Sequence, residues 1–151
     1  MLRRPLCFIA AALACGTTFS ALAETTAEDA YSYRESVMTS LRGHIGAASA
    51  IVRGLVSDDG FLLDHAQGLA TGVAEIHRLF PAGSAVEDSE ALPVIWEKPE
   101  EFDAAILRAE EATEAFRKAV ADGAGSEAIG AAFRDVGMSC RNCHDNFRME
   151  K

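Results

Sequence analysis

Two cysteines and a histidine near the C-terminus have a spacing that can do chemistry. Residues 140 to 144 read CRNCH, so Cys140 and Cys143 stand three positions apart and His144 follows directly. Four kinds of site use such residues: half of a zinc site, a redox-active dithiol, a disulfide, and an anchor in which two thiols hold a haem whose iron binds the imidazole. The secondary structure that carries these residues helps to decide among the four kinds of site.

Apolar residues recur at helical spacing in four stretches of the chain. Each stretch steps by three and four residues, which gives one apolar face per helix. The pattern predicts an all-α fold in which four helices of about 20 to 28 residues form an antiparallel bundle. Trp96, in the longest connection, is expected to hold that connection against the bundle. The four apolar stretches are Met38 to Leu55, Leu62 to Phe80, Phe102 to Val120, and Ile129 to Phe147.

The first 23 residues have the features of a secretory signal peptide. Arg3 and Arg4 precede an apolar run, and the small residues of ALA end at Ala23, which is the order of charge, apolar core and cleavage site in such peptides. We expect cleavage after Ala23, export to the periplasm, and a mature domain of residues 24–151. Polar residues between positions 16 and 20 interrupt the apolar run, so no membrane span is expected. Lipid attachment at Cys15 stays open as an alternative.

Cleavage would change both the cysteine count and the charge of the chain. Only Cys140 and Cys143 would remain, and the loss of Arg3 and Arg4 would leave 12 basic and 23 acidic residues, a net charge of −11. A nucleic-acid ligand is therefore not expected.

The CRNCH residues fall on the apolar face of the fourth predicted helix. At about 100° per residue, His144 lies about 40° from Cys140, so all three side chains project into the bundle. Zinc needs two further ligands, and the other histidines show no paired spacing; they are His44, His65 and His77.

The two remaining alternatives to haem also fit poorly. A thioredoxin-like dithiol expects a strand before its helix, and a disulfide across so short a helical span would be strained. We therefore predict one covalently attached haem c, with thioether bonds to Cys140 and Cys143 and iron bound by His144.

Three segments resemble the cytochrome c′ family, the class II c-type cytochromes. They are CRNCHDNFR near the C-terminus, YRESVMTSLRGHIGA near the mature N-terminus and PVIWEKPEEF between them, and the resemblance covers residues 24–151. It implies a four-helix bundle that encloses one haem c attached near the C-terminus. We expect no enzymatic turnover.

The sixth iron ligand would decide the function. Met38 lies on the apolar face of the first helix, at a height similar to that of His144 in an antiparallel pair. Met138 and Met149 belong to the helix of His144 and cannot reach the opposite side of a porphyrin. Spacing alone favours Met38 as a core residue, but the resemblance places it where the low-spin branch has its haem-binding methionine.

The primary hypothesis is therefore a periplasmic electron-transfer cytochrome with His144 and Met38 as axial ligands. The alternative is a five-coordinate, high-spin protein that binds nitric oxide or carbon monoxide. The resemblance implies a redox partner protein without identifying it, and it fits either a monomer or a homodimer.

The resemblance also places two arginines, Arg34 and Arg148, near the haem, where they would compensate its propionates or tune its potential. Solvated surface charge is the alternative for both. His44, six residues after Met38, should point away from the iron, and His65 and His77 are expected to face solvent.

We expect the purified mature protein to weigh as much as residues 24–151 plus one haem. Intact-mass spectrometry after expression in a host that attaches haem c checks this. A colourless protein with both thiols still titratable would contradict the haem prediction, and a mass that retains residues 1–23 would contradict only the cleavage.

Overall fold

The computed structural model describes residues 25–149. The predicted signal peptide, its cleavage after Ala23 and Cys15 lie outside this range and stay predictions. No helix within the described range is long and apolar enough to cross a membrane.

Six helical segments follow one another along the described chain. Four of them, α1, α2, α4 and α5, form a bundle in which α2 packs on α1 and α4, and α5 packs on α4 and, more sparingly, on α1. Residues 25–149 contain no strand, only an isolated bridge between Ala91 and Arg148. The all-α prediction is confirmed. The segments are α1 (Ala27–Val52), α2 (Phe61–Ala74), a 3-10 turn (Ile76–Arg78), α3 (Val94–Glu97), α4 (Pro99–Ala121) and α5 (Ser126–Phe147).

Local sequence signals set the helix starts. The Thr26 hydroxyl accepts a hydrogen bond from the Asp29 backbone N–H at the start of α1, which satisfies one of the free donors of the first turn. Asp58 accepts from the backbone N–H groups of Gly60 and Leu62 ahead of α2. Pro99 occupies the first turn of α4, where its missing N–H costs nothing.

The second helix is shorter than the predicted 20 to 28 residues. It has 14 residues, and the chain then tightens into the 3-10 turn of Ile76–Arg78. In a 3-10 turn, residues three apart lie on the same side, so Ile76 and Leu79 are both buried. The apolar stretch that ends at Phe80 therefore reaches the core as predicted, but its last part is not α-helical.

The core consists of two clusters. One surrounds Phe116, Leu69 and Val136, and the other surrounds Ile106 and Phe147. The two cysteines of the CRNCH motif pack at the margins, Cys140 against the first cluster and Cys143 against the second.

Trp96 fastens the long connection between α2 and α4. Its indole Nε1–H donates to the backbone carbonyls of Phe80 and Pro81, at 3.1 and 3.3 Å. Its ring meets the Phe80 ring edge-on, with 6.4 Å between centroids. The predicted anchoring role is confirmed.

Phe116→Ala should lower the free energy of unfolding by about 3–5 kcal/mol, because the fully buried ring would leave a cavity in the core. Leu107→Ala is the matched control on the same helix, since Leu107 is 52% exposed and should cost less than about 0.5 kcal/mol. Urea unfolding of the haem-loaded protein measures both. Equal costs for the two variants would contradict the core assignment.

Candidate haem site

All six site residues predicted from the sequence line one cavity of about 440 Å³. Because protein interiors are close-packed, an internal space of this size is typical of a ligand pocket. The residues come from α1, from α5 and from the position directly after α5. They are Arg34, Met38, Cys140, Cys143, His144 and Arg148.

The walls of the cavity are mostly apolar. Aliphatic and aromatic side chains from α1, α2, α4, α5 and the long connection surround it, which suits a flat hydrophobic group better than a hydrated ion. They include Leu41, Ile45, Leu69, Val73, Ile76, Phe80, Ile95, Phe102, Ile106 and Phe147.

The motif on α5 presents its reactive atoms to this apolar space. Cys140 and Cys143 are half-buried and belong to no disulfide. Burial raises the pKa of Cys140 and raises that of Cys143 to about 11. His144 is more exposed than the two cysteines. Partial desolvation of its ring, with a smaller contribution from the positive charge of Arg148, lowers the pKa of His144. At neutral pH the thiols are therefore protonated, and the imidazole is in the neutral form that binds metals.

The donor set fits haem c and does not fit a zinc site. The described part of the chain contains no group of three or more histidine, cysteine, aspartate and glutamate side chains placed to hold a metal ion. Structural zinc requires four protein ligands. Two thiols and one imidazole beside an apolar cavity instead match the needs of a covalently attached porphyrin.

Met38 is half-buried and packs against the core cluster that contains Phe102 and Ile106. It contributes to the cavity wall from α1, whereas His144 contributes from α5. Met138 and Met149 are 62% and 46% exposed and do not line the cavity. These exposed positions agree with the expectation that neither methionine is an iron ligand.

Arg34 is buried, with only 3% of its surface exposed, so the surface-charge alternative is wrong for this residue. Its terminal N–H groups donate to the carbonyls of Leu79 and Ser84 and to the hydroxyls of Ser84 and Ser89, at 3.0–3.2 Å. Its guanidinium also lies 4.7 Å above the Phe80 ring. Burial lowers the pKa of Arg34. The side chain thus ties α1 to the connection after the 3-10 turn and holds a positive charge at the cavity wall.

Arg148 is exposed at the end of α5, and its backbone N–H donates to the His144 carbonyl. The neighbouring backbone is clamped to the long connection, because Leu92 N–H donates to Phe147 O and Met149 N–H donates to Glu90 O. These bonds fix the position of the chain directly after the motif.

Three charged residues at the cavity were not predicted from the sequence. Glu35 and Arg42 lie on α1, and Glu90 lies on the long connection. Arg42 is four positions after Met38 and Glu35 is three before it, so helical spacing relative to Met38 is a signal that could have found them. Nothing in the sequence pattern indicates Glu90, because it lies in irregular structure.

The three histidines outside the motif do not line the cavity. His44 points away from it, as expected. The prediction that His65 faces solvent is wrong, because His65 is half-buried against His44. His77 is exposed, and its ring nitrogens lie 3.7 Å from Asp103 and 3.4 Å from Glu110.

The family comparison, the sequence relatives and the solved structures all point to c-type cytochromes. A family described as cytochrome C′ matches residues 29–148. A cytochrome c-554 of Cereibacter sphaeroides is 34% identical over 122 residues, covering 78% of each chain. A cytochrome c′ of Pararhodospirillum photometricum is 31% identical over 117 residues, covering 77% of this chain and 93% of its own. Among solved structures, a ferrous variant of cytochrome c prime from Alcaligenes xylosoxidans with bound NO superimposes with a TM-score of 0.77 at 29% identity, covering 85% of this chain and 99% of that one.

Replacing Arg34 with methionine should lower the free energy of unfolding by about 2–4 kcal/mol, because buried carbonyl and hydroxyl groups would lose their charged donor. Arg53→Met is the matched control, since Arg53 is exposed at the end of α1. Chemical denaturation of the haem-loaded proteins checks the difference. A cost for Arg34→Met no larger than for Arg53→Met would show that the network contributes little.

Proposed function

The chain belongs to the cytochrome c′ family, and we propose that it is an exported, non-enzymatic c-type cytochrome that holds one haem c in the cavity between α1 and α5. The family carries a single, covalently attached haem c. The observation that supports the proposal for this chain is the convergence of Cys140, Cys143, His144 and Met38 on one apolar cavity.

In this proposal the residues of α5 bind and orient the cofactor. The thiols of Cys140 and Cys143 would form the thioether bonds, and the imidazole of His144 would bind the iron. Haem, when bound, would supply an iron that changes between ferric and ferrous states and can take a further ligand. Most of the side chains that line the cavity are apolar.

Binding of nitric oxide is the first candidate function, because the comparisons favour it over the His144 and Met38 ligation expected from the sequence. Several solved structures similar to this chain are nitric oxide complexes of cytochrome c prime. An apolar cavity wall beside the sixth position would admit a small uncharged molecule such as nitric oxide or carbon monoxide. In this candidate Met38 is part of the wall and does not bind iron.

Electron transfer with a closed sixth position is the second candidate, and Met38 is the observation that favours it. Its side chain lines the same cavity as His144 and reaches it from a different helix. A thioether ligand favours ferrous iron, raises the potential and leaves little to rearrange when the charge changes.

Arg34 and Arg148 are proposed to act on the charge of the site. Both line the cavity, and a positive charge there would offset haem propionates and favour the ferrous state. Location in the periplasm rests on the predicted signal peptide, and a monomer or homodimer meeting a redox partner protein is compatible with either candidate.

Spectra of wild type and Met38→Leu separate the two candidates. For nitric oxide binding we expect a high-spin ferric wild type whose ferrous form binds nitric oxide and carbon monoxide, with little change in Met38→Leu. For electron transfer we expect a low-spin wild type that Met38→Leu converts to a high-spin, gas-binding protein.

Met138→Leu is the matched control, because Met138 is exposed and lies outside the cavity. It should leave spin state and gas binding unchanged in both cases. Failure of Cys140→Ser/Cys143→Ser to abolish covalent haem would contradict the proposal as a whole.

A further inference from the structure

Two histidines from different helices meet outside the haem cavity. His44 on α1 and His65 on α2 place their Nδ1 atoms 3.2 Å apart. Their ring centroids are 5.5 Å apart and the ring planes are inclined by 59°. Both side chains are half-buried, and neither has a role in the proposed haem site.

Gly68 on α2 creates the space for this contact. A Cβ atom at position 68 would lie 2.5 Å from Cε1 and Nε2 of the His44 ring, so the ring would have to move. The Nε2 edge of His44 therefore packs against the bare backbone of Gly68, and its Nδ1 edge is directed to His65.

The two nitrogens are at hydrogen-bonding distance, and the same distance is compatible with two ligands on one metal ion. With zinc–nitrogen bonds of about 2.0–2.1 Å, two imidazoles are about 3.3 Å apart at the tetrahedral angle and about 2.9 Å apart at a right angle. The observed 3.2 Å is close to the tetrahedral value. Imidazole nitrogen is also a preferred ligand type for zinc.

We propose that His44 and His65 form a binding site for a zinc-type divalent ion, with the two Nδ1 atoms as protein ligands. This goes beyond the proposed haem function, because neither histidine lines the haem cavity. Within residues 25–149 no further histidine, cysteine or carboxylate completes the site, so water fills the other positions. The ion is therefore exchangeable, unlike a structural zinc held by four protein ligands.

Binding requires a change of tautomer and a rotation of the rings that turns both Nδ1 lone pairs from each other toward the ion. In the metal-free pair, one Nδ1–H donates to the other Nδ1, which accepts. When both Nδ1 atoms bind the ion, both rings carry their proton on Nε2, so one proton moves within one ring and none is lost overall. No electron is transferred.

An ion at this position would connect α1 to α2. Since Met38, Leu41 and Ile45 of α1 line the haem cavity, the link would stabilise the helix that forms one side of it. A ligand that binds only the folded state stabilises it by RT ln(1 + [L]/Kd), so the unfolding temperature rises with the concentration of free ion.

Titration of the ferric, haem-loaded protein with zinc chloride tests the proposal by calorimetry and by thermal unfolding. Wild type should bind one equivalent and unfold at a higher temperature with zinc present. His44→Gln and His65→Gln should each weaken binding at least tenfold and abolish the thermal shift. Gly68→Ala keeps both imidazoles but displaces the His44 ring, and it should weaken binding similarly.

His77→Gln is the control, because His77 lies near Asp103 and Glu110 and is the competing location for zinc. It should leave binding unchanged. The proposal is overturned if wild type binds no zinc, if binding survives in His44→Gln and His65→Gln, if His77→Gln removes it, or if a folded Gly68→Ala binds as wild type does.

Discussion

The structure depends on a bundle that stays open on the face of α5 that carries the cysteines and His144. Apolar side chains from four directions surround a space of about 440 Å³, although close packing would normally fill it. An empty apolar cavity lowers stability, so a group that fills it stabilises the fold. Stability and cofactor binding are therefore coupled: the walls that would bind a porphyrin are the same residues that form part of the core.

Two positively charged residues outside the CRNCH motif, Arg34 and Arg148, line this apolar cavity. Arg34 satisfies its hydrogen bonds entirely with carbonyl and hydroxyl groups of the long connection, so it can remain charged while buried. The same connection is held to the end of α5 through backbone bonds at Leu92 and Met149. The irregular segment thus positions two charged residues, Arg34 and Arg148, at the cavity without contributing a long helix.

The two candidate functions differ in whether one sulfur atom binds iron. The fold, the attachment residues and His144 are common to both, and only the distance that Met38 keeps from the iron separates a closed site from an open one. Family membership is therefore informative about the cofactor and less so about the sixth ligand, because both candidates share the fold and the attachment residues.

Helical periodicity and the CRNCH spacing determined the fold class, the face of α5 that carries the motif and the place of Met38 on the apolar face of α1, because periodicity shows which side of a helix each residue occupies. The placement of Met38 beside the haem came from the family resemblance. Tertiary structure alone decided the rest. The 3-10 turn after α2, the burial of Arg34 and the meeting of His44 with His65 depend on how segments far apart in sequence approach each other. A periodic pattern carries no information on that approach, because it records which side of one helix is apolar and not which residue of another helix lies opposite.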